Sequence, residues 1–395
     1  MSQLKKQFEF TDGQKELMHL IYKWYTHSND QDFVYSGPAG TGKTSILPYV
    51  VNKLGLERDE VLYVAFTGKA ASVLMQKGFD ASTIHSTFYD LVESPKVRDG
   101  RLVTVNGRTV TEMKFKEKDF IDPHVKLIVV DEWSMVNEEL MHAIYKHGIP
   151  VIASGDSYQL RPVFGESPFA KKVKYELTEI TRQAEFSGIV QLATRIREGK
   201  ELPRHYNWFN DAWILPKEYM KDRHLLEADI ILTAKNKTRN MFNNRVRELH
   251  GSKGKLPNVG DKLICRKNCW YRSLDGIPLI NGILGKVKYP IRMDECALHK
   301  GIYRIDFQPD YTDEYYEALA CDYDFIKQPC GEKEVSEYNH GAKLEFGEAL
   351  TVHLSQGSQY GSVLYYDEWV GDREYMRQLR YTAVTRAINK VWMFI

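Results

Sequence analysis

No apolar run in the sequence approaches the roughly 20 residues that a helix needs to cross a bilayer, so we expect no membrane span. Residues 1–10 hold two lysines but no apolar core region or small-residue cleavage site, which disfavours secretion and predicts a cytoplasmic protein. Cysteine is scarce, and the five residues are too few and too scattered for a disulfide framework. Cys265 and Cys269 form one close pair, and without a second pair we expect buried thiols rather than a zinc site.

The sequence also lacks an excess of either positive or negative charge. The formal net charge is only +1, so composition does not indicate a nucleic-acid partner, and any basic groove must be local and offset by acidic residues such as those at 310–317. Hydrophobic and charged fractions of 43% and 27% are ordinary for a globular protein. A chain of 395 residues predicts two or three domains.

The strongest local pattern follows an apolar, extended stretch at 33–35 and precedes a helix-compatible stretch at 45–54. It consists of Gly37, Pro38, Ala39, Gly40, Thr41, Gly42, Lys43 and Thr44. Strand, glycine-rich loop and helix in this order are typical of a phosphate-binding loop, whose amides point at phosphate oxygens. Lys43 would reach the outer phosphates and Thr44 would offer its hydroxyl to Mg²⁺, which predicts ATP-type nucleotide binding. The alternative is that this glycine-rich loop occurs by chance and has no phosphate-binding role.

Two further strand ends carry polar residues. The apolar stretch 125–130 reads as a buried parallel strand that ends on Asp131 and Glu132, and the stretch 150–154 runs into a polar turn with Gln159. Carboxyl ends of parallel strands face the ligand crevice of such sheets. Asp131 would hold magnesium, Glu132 would deprotonate the attacking water, and Gln159 would sense the γ-phosphate, so hydrolysis is predicted rather than binding alone.

The ordered set of motifs resembles the superfamily 1 helicases, closest to the phage Dda and bacterial RecD type, from about residue 8 to the C-terminus. Gln14, in Thr-Asp-Gly-Gln-Lys, is similar to the family's adenine-reading glutamine. The segments 65–71, 83–86, 131–135 and 155–162 resemble motifs of the first motor domain. The resemblance implies an α/β fold with two RecA-like, doubly wound parallel-sheet motor domains.

Motifs of the second motor domain follow later in the chain. Arg182, in 177–183, and Arg386, in 381–387, resemble arginines that reach the triphosphate from the second domain, although surface salt bridging is the ordinary fate of an arginine. The segment 348–357 resembles a motif whose Gln-Gly approaches ATP, here ending on Gly357, and Gln359 falls where relatives place a ribose-contacting acid.

The same resemblance implies which residues contact DNA. They are Thr67, Lys69, Thr83, His85, Thr351, His353 and Ser355. The chain departs from the pattern at Leu354, where this type usually has lysine, which puts a charged backbone contact there in doubt. Arg266, Lys267, Trp270, Tyr271 and Arg272 interleave cations with rings, which suits either a single-strand track or an ordinary edge-strand surface.

Two insertions complete the predicted architecture. Alternating β-formers around Asn106-Gly107 predict a hairpin in 88–124, which the resemblance makes a candidate duplex-splitting pin and which could also be a decorative ribbon. Short strands with glycine turns in 257–343 predict an SH3-like β-barrel, with a helical arm at 313–328. We thus expect motor domains at 1–180 and at 181–256 with 344–395.

The function that these patterns predict is an ATP-dependent, Mg²⁺-requiring DNA helicase that translocates on single-stranded DNA, by resemblance 5′ to 3′, and unwinds fork or tailed duplexes. We expect a monomer in a bacterial or phage-infected cell, with a single-strand-binding or replisome protein as a further partner. Two alternatives stay open: an RNA-acting relative, and a non-catalytic ATP-binding switch or loading factor. The chain keeps the four residues on which hydrolysis is predicted to depend, which disfavours the non-catalytic switch. They are Lys43, Glu132, Arg182 and Arg386.

Overall fold

The computed structural model describes residues 9–395 except 96, 99–100, 103, 106–107, 110, 162–166, 253, 275–276, 293–301, 323–325 and 327–340. At 69, 72–73, 76, 91, 98, 101, 105, 108, 111–113, 182–183, 270–271, 277–278 and 292 it describes the backbone alone. The chain divides into two compact units. Unit 1 comprises Met1–Ser157 and Arg161–Thr181, and unit 2 comprises Tyr158–Leu160 and Arg182–Ile395.

The helices of the described residues are α1 (Asp12–His27), α2 (Leu47–Leu54), α3 (Gly68–Gln76), α4 (Ile84–Phe88), α5 (Glu138–Tyr145), α6 (Arg182–Glu185), α7 (Gly188–Arg197), α8 (Asp222–Glu227), α9 (Asn236–Leu249) and α10 (Arg373–Val384). Single 3₁₀ turns lie at Thr44–Ile46, Arg58–Glu60, Trp133–Met135, Pro168–Lys172, Lys217–Tyr219 and His353–Ser355. None of these helices is both long and apolar enough to pass through a membrane.

The strands of unit 1 are β1 (Asp32–Ser36), β2 (Val61–Ala65), β3 (Ala81–Thr83), β4 (Tyr89–Pro95), β5 (Val97–Arg98), β6 (Arg101–Leu102), β7 (Thr104–Val105), β8 (Arg108–Thr109), β9 (Thr111–Glu117), β10 (Leu127–Asp131), β11 (Val151–Gly155) and β12 (Val173–Glu176). The strands of unit 2 are β13 (Tyr206–Trp208), β14 (Ala212–Leu215), β15 (Ile230–Thr233), β16 (Lys262–Cys265), β17 (Cys269–Leu274), β18 (Ile277–Leu279), β19 (Leu284–Arg292), β20 (Ile302–Pro309), β21 (Tyr316–Asp322), β22 (Leu344–Phe346), β23 (Ala349–Thr351), β24 (Tyr360–Tyr366) and β25 (Ala387–Phe394).

Unit 1 is built on a six-stranded parallel sheet with the order β12-β1-β11-β10-β2-β3. Successive residues of its strands enter two different cores: Phe33 and Tyr35 pack with α1, α2 and α3, whereas Val34 packs with α4 and α5. A strand covered on both faces must be apolar almost throughout, because its side chains alternate between the faces. The parallel α/β sheet that the buried strand patterns predict is confirmed.

Unit 2 contains a second six-stranded sheet, with the order β13-β14-β25-β24-β15-β23. Its pairs are parallel except β13 with β14. Leu232 and Val391 face a core with α7 and α10, and Ile231 and Trp392 face a core with α8 and α9. Helices therefore cover both faces of this sheet as well.

Between β15 and β23 the chain forms a smaller antiparallel sheet, β21-β20-β19-β16-β22, with its own apolar core. A short ladder of β17 with β18 accompanies it. The helical arm predicted at 313–328 is wrong for residues 313–322, because Tyr316–Asp322 is strand β21 paired with β20. Pairing with β20 lets the apolar side chains of this segment pack into the core of the smaller sheet, which an isolated arm could not do. The buried side chains are those of Tyr316, Leu319 and Cys321.

A long antiparallel ribbon leaves unit 1 between α4 and β10. Strands β4 and β9 form its stem, from the pair Tyr89 and Glu117 to the pair Pro95 and Thr111. Beyond the stem β5 pairs with β6, and β7 pairs with β8 so that Val105 lies opposite Arg108. The turn residues predicted between them, 106–107, lie outside the described residues.

Candidate nucleotide and nucleic-acid sites

The glycine-rich loop leaves the carboxyl end of β1 and needs glycine at particular places. Gly40 and Gly42 have φ angles of 86° and 72°, in the left-handed region that side chains with a Cβ rarely adopt. A Cβ on Gly42 would lie 2.6 Å from Nε2 of Gln14, and one on Gly37 would lie 2.8 Å from Oγ1 of Thr41. A side chain at Gly42 would therefore collide with Gln14, and one at Gly37 would collide with Thr41.

Lys43 and Thr44 sit at the end of this loop, where the chain turns into a 3₁₀ turn before α2 begins. The predicted helix at 45–54 therefore has a tighter first turn. The Lys43 ammonium donates to the carbonyl oxygens of Gly37 and, at 3.3 Å, of Pro38. Both carbonyls are neutral, so within these contacts the charge of Lys43 is not cancelled and stays available to an anion.

Gln14 is fully buried, and both ends of its side-chain amide are used within unit 1. Its Nε2 donates to the carbonyl of Thr41 at 2.9 Å, and its Oε1 accepts the amide of Thr11 at 3.1 Å. The second contact completes a capping box at the start of α1. In this structure Gln14 thus ties α1 to the glycine-rich loop, and its contact with adenine stays a prediction.

Trp133 joins three strand ends of the parallel sheet. Its Nε1 donates to the carbonyl of Tyr35 at 2.9 Å, and a Cβ on Gly155 would lie 2.6 Å from its ring. The Tyr35 hydroxyl in turn donates to the carbonyl of Lys43 at 3.0 Å. Since Trp133 follows Asp131 by two residues, it fixes the loop after β10 relative to β1 and β11. This role was not predicted from the sequence, although a Trp that directly follows an Asp-Glu pair at a strand end is a usable signal.

Asp131 ends β10 opposite Ser154, and Glu132 follows in an unusual backbone conformation. Burial first, and the Glu132 carboxylate second, raise the pKa of Asp131 to about 6, against the opposing charge of Lys43. Glu132 has φ 57° and ψ 49°, a strained region for a residue with a side chain. Its Oε2 is buried and lacks a hydrogen-bond partner in the described part of the chain, so one carboxylate oxygen is uncommitted.

The first-domain DNA candidates lie at the carboxyl ends of β2 and β3. The Thr67 hydroxyl accepts the amide of Ala70 at 3.1 Å, and the Thr83 hydroxyl accepts that of Ser86 at 3.1 Å, so both cap helices. The imidazole of His85 lies 5.0 Å from the ring of Phe115 in the ribbon stem, and burial lowers its pKa. The side chain of Lys69 lies outside the described residues.

Arg386 is 3% exposed, and the contacts of its guanidinium within the described part of the chain are with neutral groups. Nε donates to the carbonyl of Thr382 at 3.1 Å, one terminal nitrogen to the carbonyl of Ser358 at 3.2 Å, and the other to the hydroxyl of Thr385 at 3.4 Å. None of the ion pairs among the described residues involves it. A buried cation without a countercharge is costly, which points to an anion as its functional partner.

The Gly357 neighbourhood and the second set of DNA candidates lie in unit 2. Gly357 has a φ of 70°, which again favours glycine, and Gln359 is exposed. Thr351 is buried at the end of β23, and the His353 ring stacks on Tyr375, where burial lowers its pKa. Ser355 is fully buried, with its hydroxyl donating to Val352 at 2.7 Å, so a DNA contact there would require rearrangement.

For some of the predicted site residues, the structure gives less support for a functional role. Arg182 begins α6, but its side chain, like those of Trp270 and Tyr271, lies outside the described residues. Arg266 is occupied, because it forms an ion pair with buried Glu345, which also pairs with Arg239 at 2.8 Å. The track residues Lys267 and Arg272 are exposed. The structure describes no group of three or more potential metal ligands among its residues, and Cys265 and Cys269 are buried and take part in no disulfide within the described part of the chain.

Family comparisons match both ends of this arrangement. Residues 9–212 match the model of the AAA domain, and residues 346–394 match that of the UvrD-like helicase C-terminal domain. The chain is 29% identical over 208 residues to the ATP-dependent DNA helicase dda of Enterobacteria phage T4, covering 49% of this chain and 43% of that protein. It is 27% identical over 381 residues to the ATP-dependent RecD2 DNA helicase of Deinococcus radiodurans, covering 90% and 46%. The chain thus spans slightly under half the length of these curated relatives.

Solved structures share the fold over nearly the whole chain. A structure of two coordinating Pif1 helicases at forked dsDNA has a TM-score of 0.54 at 18% identity, covering 98% of this chain and 92% of that chain. The Bacteroides Pif1 helicase in complex with ADP-AlF3 and ssDNA has a TM-score of 0.52 at 18% identity, with the same coverage. At such identities the likeness concerns the fold alone, and it supports a RecA-like helicase fold.

Proposed function

We propose that this chain, which belongs to the AAA domain family and to the superfamily 1 helicases, hydrolyses ATP to move along single-stranded DNA and to unwind duplexes. The observation that carries the proposal is the uncommitted carboxylate oxygen of Glu132, which follows Asp131 at the same sheet edge as the glycine-rich loop. Such an oxygen can accept a proton from an attacking water. A nucleotide-binding switch would have no use for it.

The residues divide the work of hydrolysis among them. The glycine-rich loop and Lys43 bind the phosphates, Glu132 orients and deprotonates the water, and Gln159 senses the γ-phosphate. Mg²⁺, when bound with ATP, would be held by Thr44 and Asp131 and would neutralise phosphate charge, and the crowded acidic pair at Asp131 fits a cation. Arg182 and Arg386 would stabilise charge on the triphosphate as it is cleaved.

Loss of the γ-phosphate would release these groups and shift the motor domains, so that the strand they grip advances. We assign the motor domains to 1–180 and to 181–256 with 344–395, and a strand-guiding, SH3-like domain to 257–343. Residues Thr67, Lys69, Thr83, His85, Thr351, His353 and Ser355 remain our candidates for DNA contacts. Cytoplasmic location, the monomeric state and a single-strand-binding or replisome partner stay predictions.

The direct test compares ATP hydrolysis with no nucleic acid, with single-stranded DNA and with RNA of the same sequence, using the Lys43→Ala protein as background. We expect DNA to raise turnover by about tenfold or more, as expected if strand binding completes the catalytic site. Duplexes with only a 5′ or only a 3′ tail should unwind from the 5′ tail. No stimulation by either polymer would contradict the proposal, and stronger stimulation by RNA would favour the RNA-acting reading.

The ribbon at 88–124 gives a separate prediction, because it lies outside the nucleotide site. Replacing 96–110 by Asn-Gly keeps the β4–β9 stem, whose last pair is Pro95 and Thr111. We expect DNA-stimulated ATP hydrolysis within about twofold of wild type but fork unwinding reduced by about tenfold. Translocation, measured by displacement of streptavidin from a biotinylated single strand, is the control and should persist. Unchanged unwinding would make the ribbon decorative.

A further inference from the structure

Residues Tyr158, Gln159 and Leu160 belong to unit 2, although Ser157 and Arg161 on either side belong to unit 1. Tyr158 packs against the ring of Tyr381 at 6.2 Å, and Leu160 is 1% exposed in the core that α7 and α10 share. The turn that carries Gln159 is therefore anchored on both sides of this residue within unit 2.

The main chain of Leu160 is held at both of its polar groups by buried side chains. Its amide donates to Oγ1 of Thr382 at 2.8 Å, and its carbonyl accepts from Nε2 of Gln356 at 2.8 Å. Thr382 is 0% and Gln356 is 4% exposed. We call these three residues the Leu160 clamp. Hydrogen bonds buried to this degree are costly to lose, because the abandoned partner finds no water.

The clamp leads directly to Arg386. The carbonyl of Thr382, whose hydroxyl accepts the Leu160 amide, itself accepts Nε of Arg386 at 3.1 Å. On the other side, Ser358, two residues after Gln356, accepts a terminal nitrogen of Arg386 at 3.2 Å. Two short paths therefore connect the backbone of Leu160 with the guanidinium of Arg386. One path runs through Thr382, and the other runs through Gln356 and Ser358.

We propose that Thr382 and Gln356 are positioning residues that keep Gln159 and the Arg386 guanidinium in fixed register, so that both groups respond to the triphosphate together. The inference rests on the proposed function for the roles of Gln159 and Arg386. Thr382 needs no contact with the nucleotide. Gln356 belongs to the Gln-Gly pair whose motif resembles one that approaches ATP, and in this structure its side-chain amide donates to Leu160. If Thr382 only stabilised its own helix, we would expect its hydroxyl to bond within α10. Instead, the hydroxyl accepts the amide of Leu160.

The test uses Thr382→Val, which keeps the shape but loses the hydroxyl, and Thr382→Ser, which keeps the hydroxyl. With saturating single-stranded DNA we expect kcat for ATP hydrolysis to fall about tenfold in Thr382→Val with KM within about twofold, and Thr382→Ser to stay within about twofold of wild type. Gln356→Met should resemble Thr382→Val and covers the case in which that variant does not fold. Ser362→Ala removes the hydroxyl that accepts the Asp229 amide at 2.9 Å elsewhere in unit 2 and keeps the Ser362 carbonyl that accepts it at 3.1 Å, and it should leave kcat unchanged.

A double-mutant cycle separates positioning from a general loss of packing. If Thr382 acts through Gln159, adding Thr382→Val to Gln159→Ala should lower kcat by less than about twofold further, whereas independent effects would multiply. A full tenfold loss in that background, or equal losses in Thr382→Val and Thr382→Ser, would overturn the clamp. An unaffected Thr382→Val protein would do the same while leaving the proposed function intact. Wild-type protein without DNA-stimulated hydrolysis would overturn both.

Discussion

Glu132→Gln should lower DNA-stimulated ATP turnover by about a thousandfold while nucleotide binding persists, because the amide cannot take a proton from water. The substitution keeps the size of the side chain and removes a partly buried negative charge that lies beside Asp131 and raises its pKa. The free energy of unfolding should therefore be unchanged or higher, so loss of activity cannot be blamed on unfolding. Turnover, binding of a fluorescent ADP analogue and the thermal midpoint Tm together make the measurement.

The matched control for this variant is Glu138→Gln, the same chemical change on an exposed residue in the first turn of α5. It should hydrolyse ATP like wild type. Turnover in Glu132→Gln within about twofold of wild type would remove Glu132 as the base. Loss of nucleotide binding in step with turnover would instead make it a binding residue, and the hydrolysis mechanism would have to be reassigned.

Arg386→Lys should lower turnover by about a thousandfold or more, the scale on which arginines at cleaved phosphates act. Lysine keeps the charge but cannot reproduce the planar fork whose nitrogens reach Thr382, Ser358 and Thr385. Arg386→Ala should be as inactive yet no less stable against heat than Arg386→Lys, since it removes a buried cation that has no countercharge in the described structure. Single-turnover hydrolysis with DNA present measures both variants.

Arg377→Lys supplies the control, because Arg377 lies on α10 as well but is only partly buried and is paired with exposed Glu374. Its turnover should match wild type. If Arg386→Lys retained full activity, Arg386 would be a structural arginine and the second-domain contribution to catalysis would rest on Arg182 alone. A drop in single-stranded DNA affinity without a drop in turnover would move its role from the nucleotide to the strand.

Local patterns were reliable where function depends on backbone shape. The glycine-rich loop could be predicted because its conformation needs glycine at Gly40 and Gly42, and because its strand and helix are neighbours along the chain. Asp131 could be placed at a strand end since an apolar run of a few residues stops there. The helix predicted over 316–322 was wrong because the choice between helix and strand depended on a partner strand, β20, that composition does not reveal.

Side-chain partners were the part that the sequence could not supply. Gln14 was a candidate for adenine contact, but its fully buried amide joins α1 to the glycine-rich loop, a contact across 27 positions. Ser355 is a candidate for DNA contact, and in this structure its hydroxyl donates to the nearby carbonyl of Val352. Arg266 was a candidate track residue, and it pairs with Glu345 across 79 positions.

From the sequence alone follow the parallel α/β architecture, the phosphate-binding loop and the carboxylates at the strand end, because hydrophobic period, glycine spacing and strand termini are properties of short segments. Tertiary structure alone decided that, among the described residues, one Glu132 oxygen has no hydrogen-bond partner and buried Arg386 has no countercharge, and that Leu160 is held by Thr382 and Gln356. These depend on contacts between residues up to 222 positions apart, and such contacts exist only after the sheets have packed.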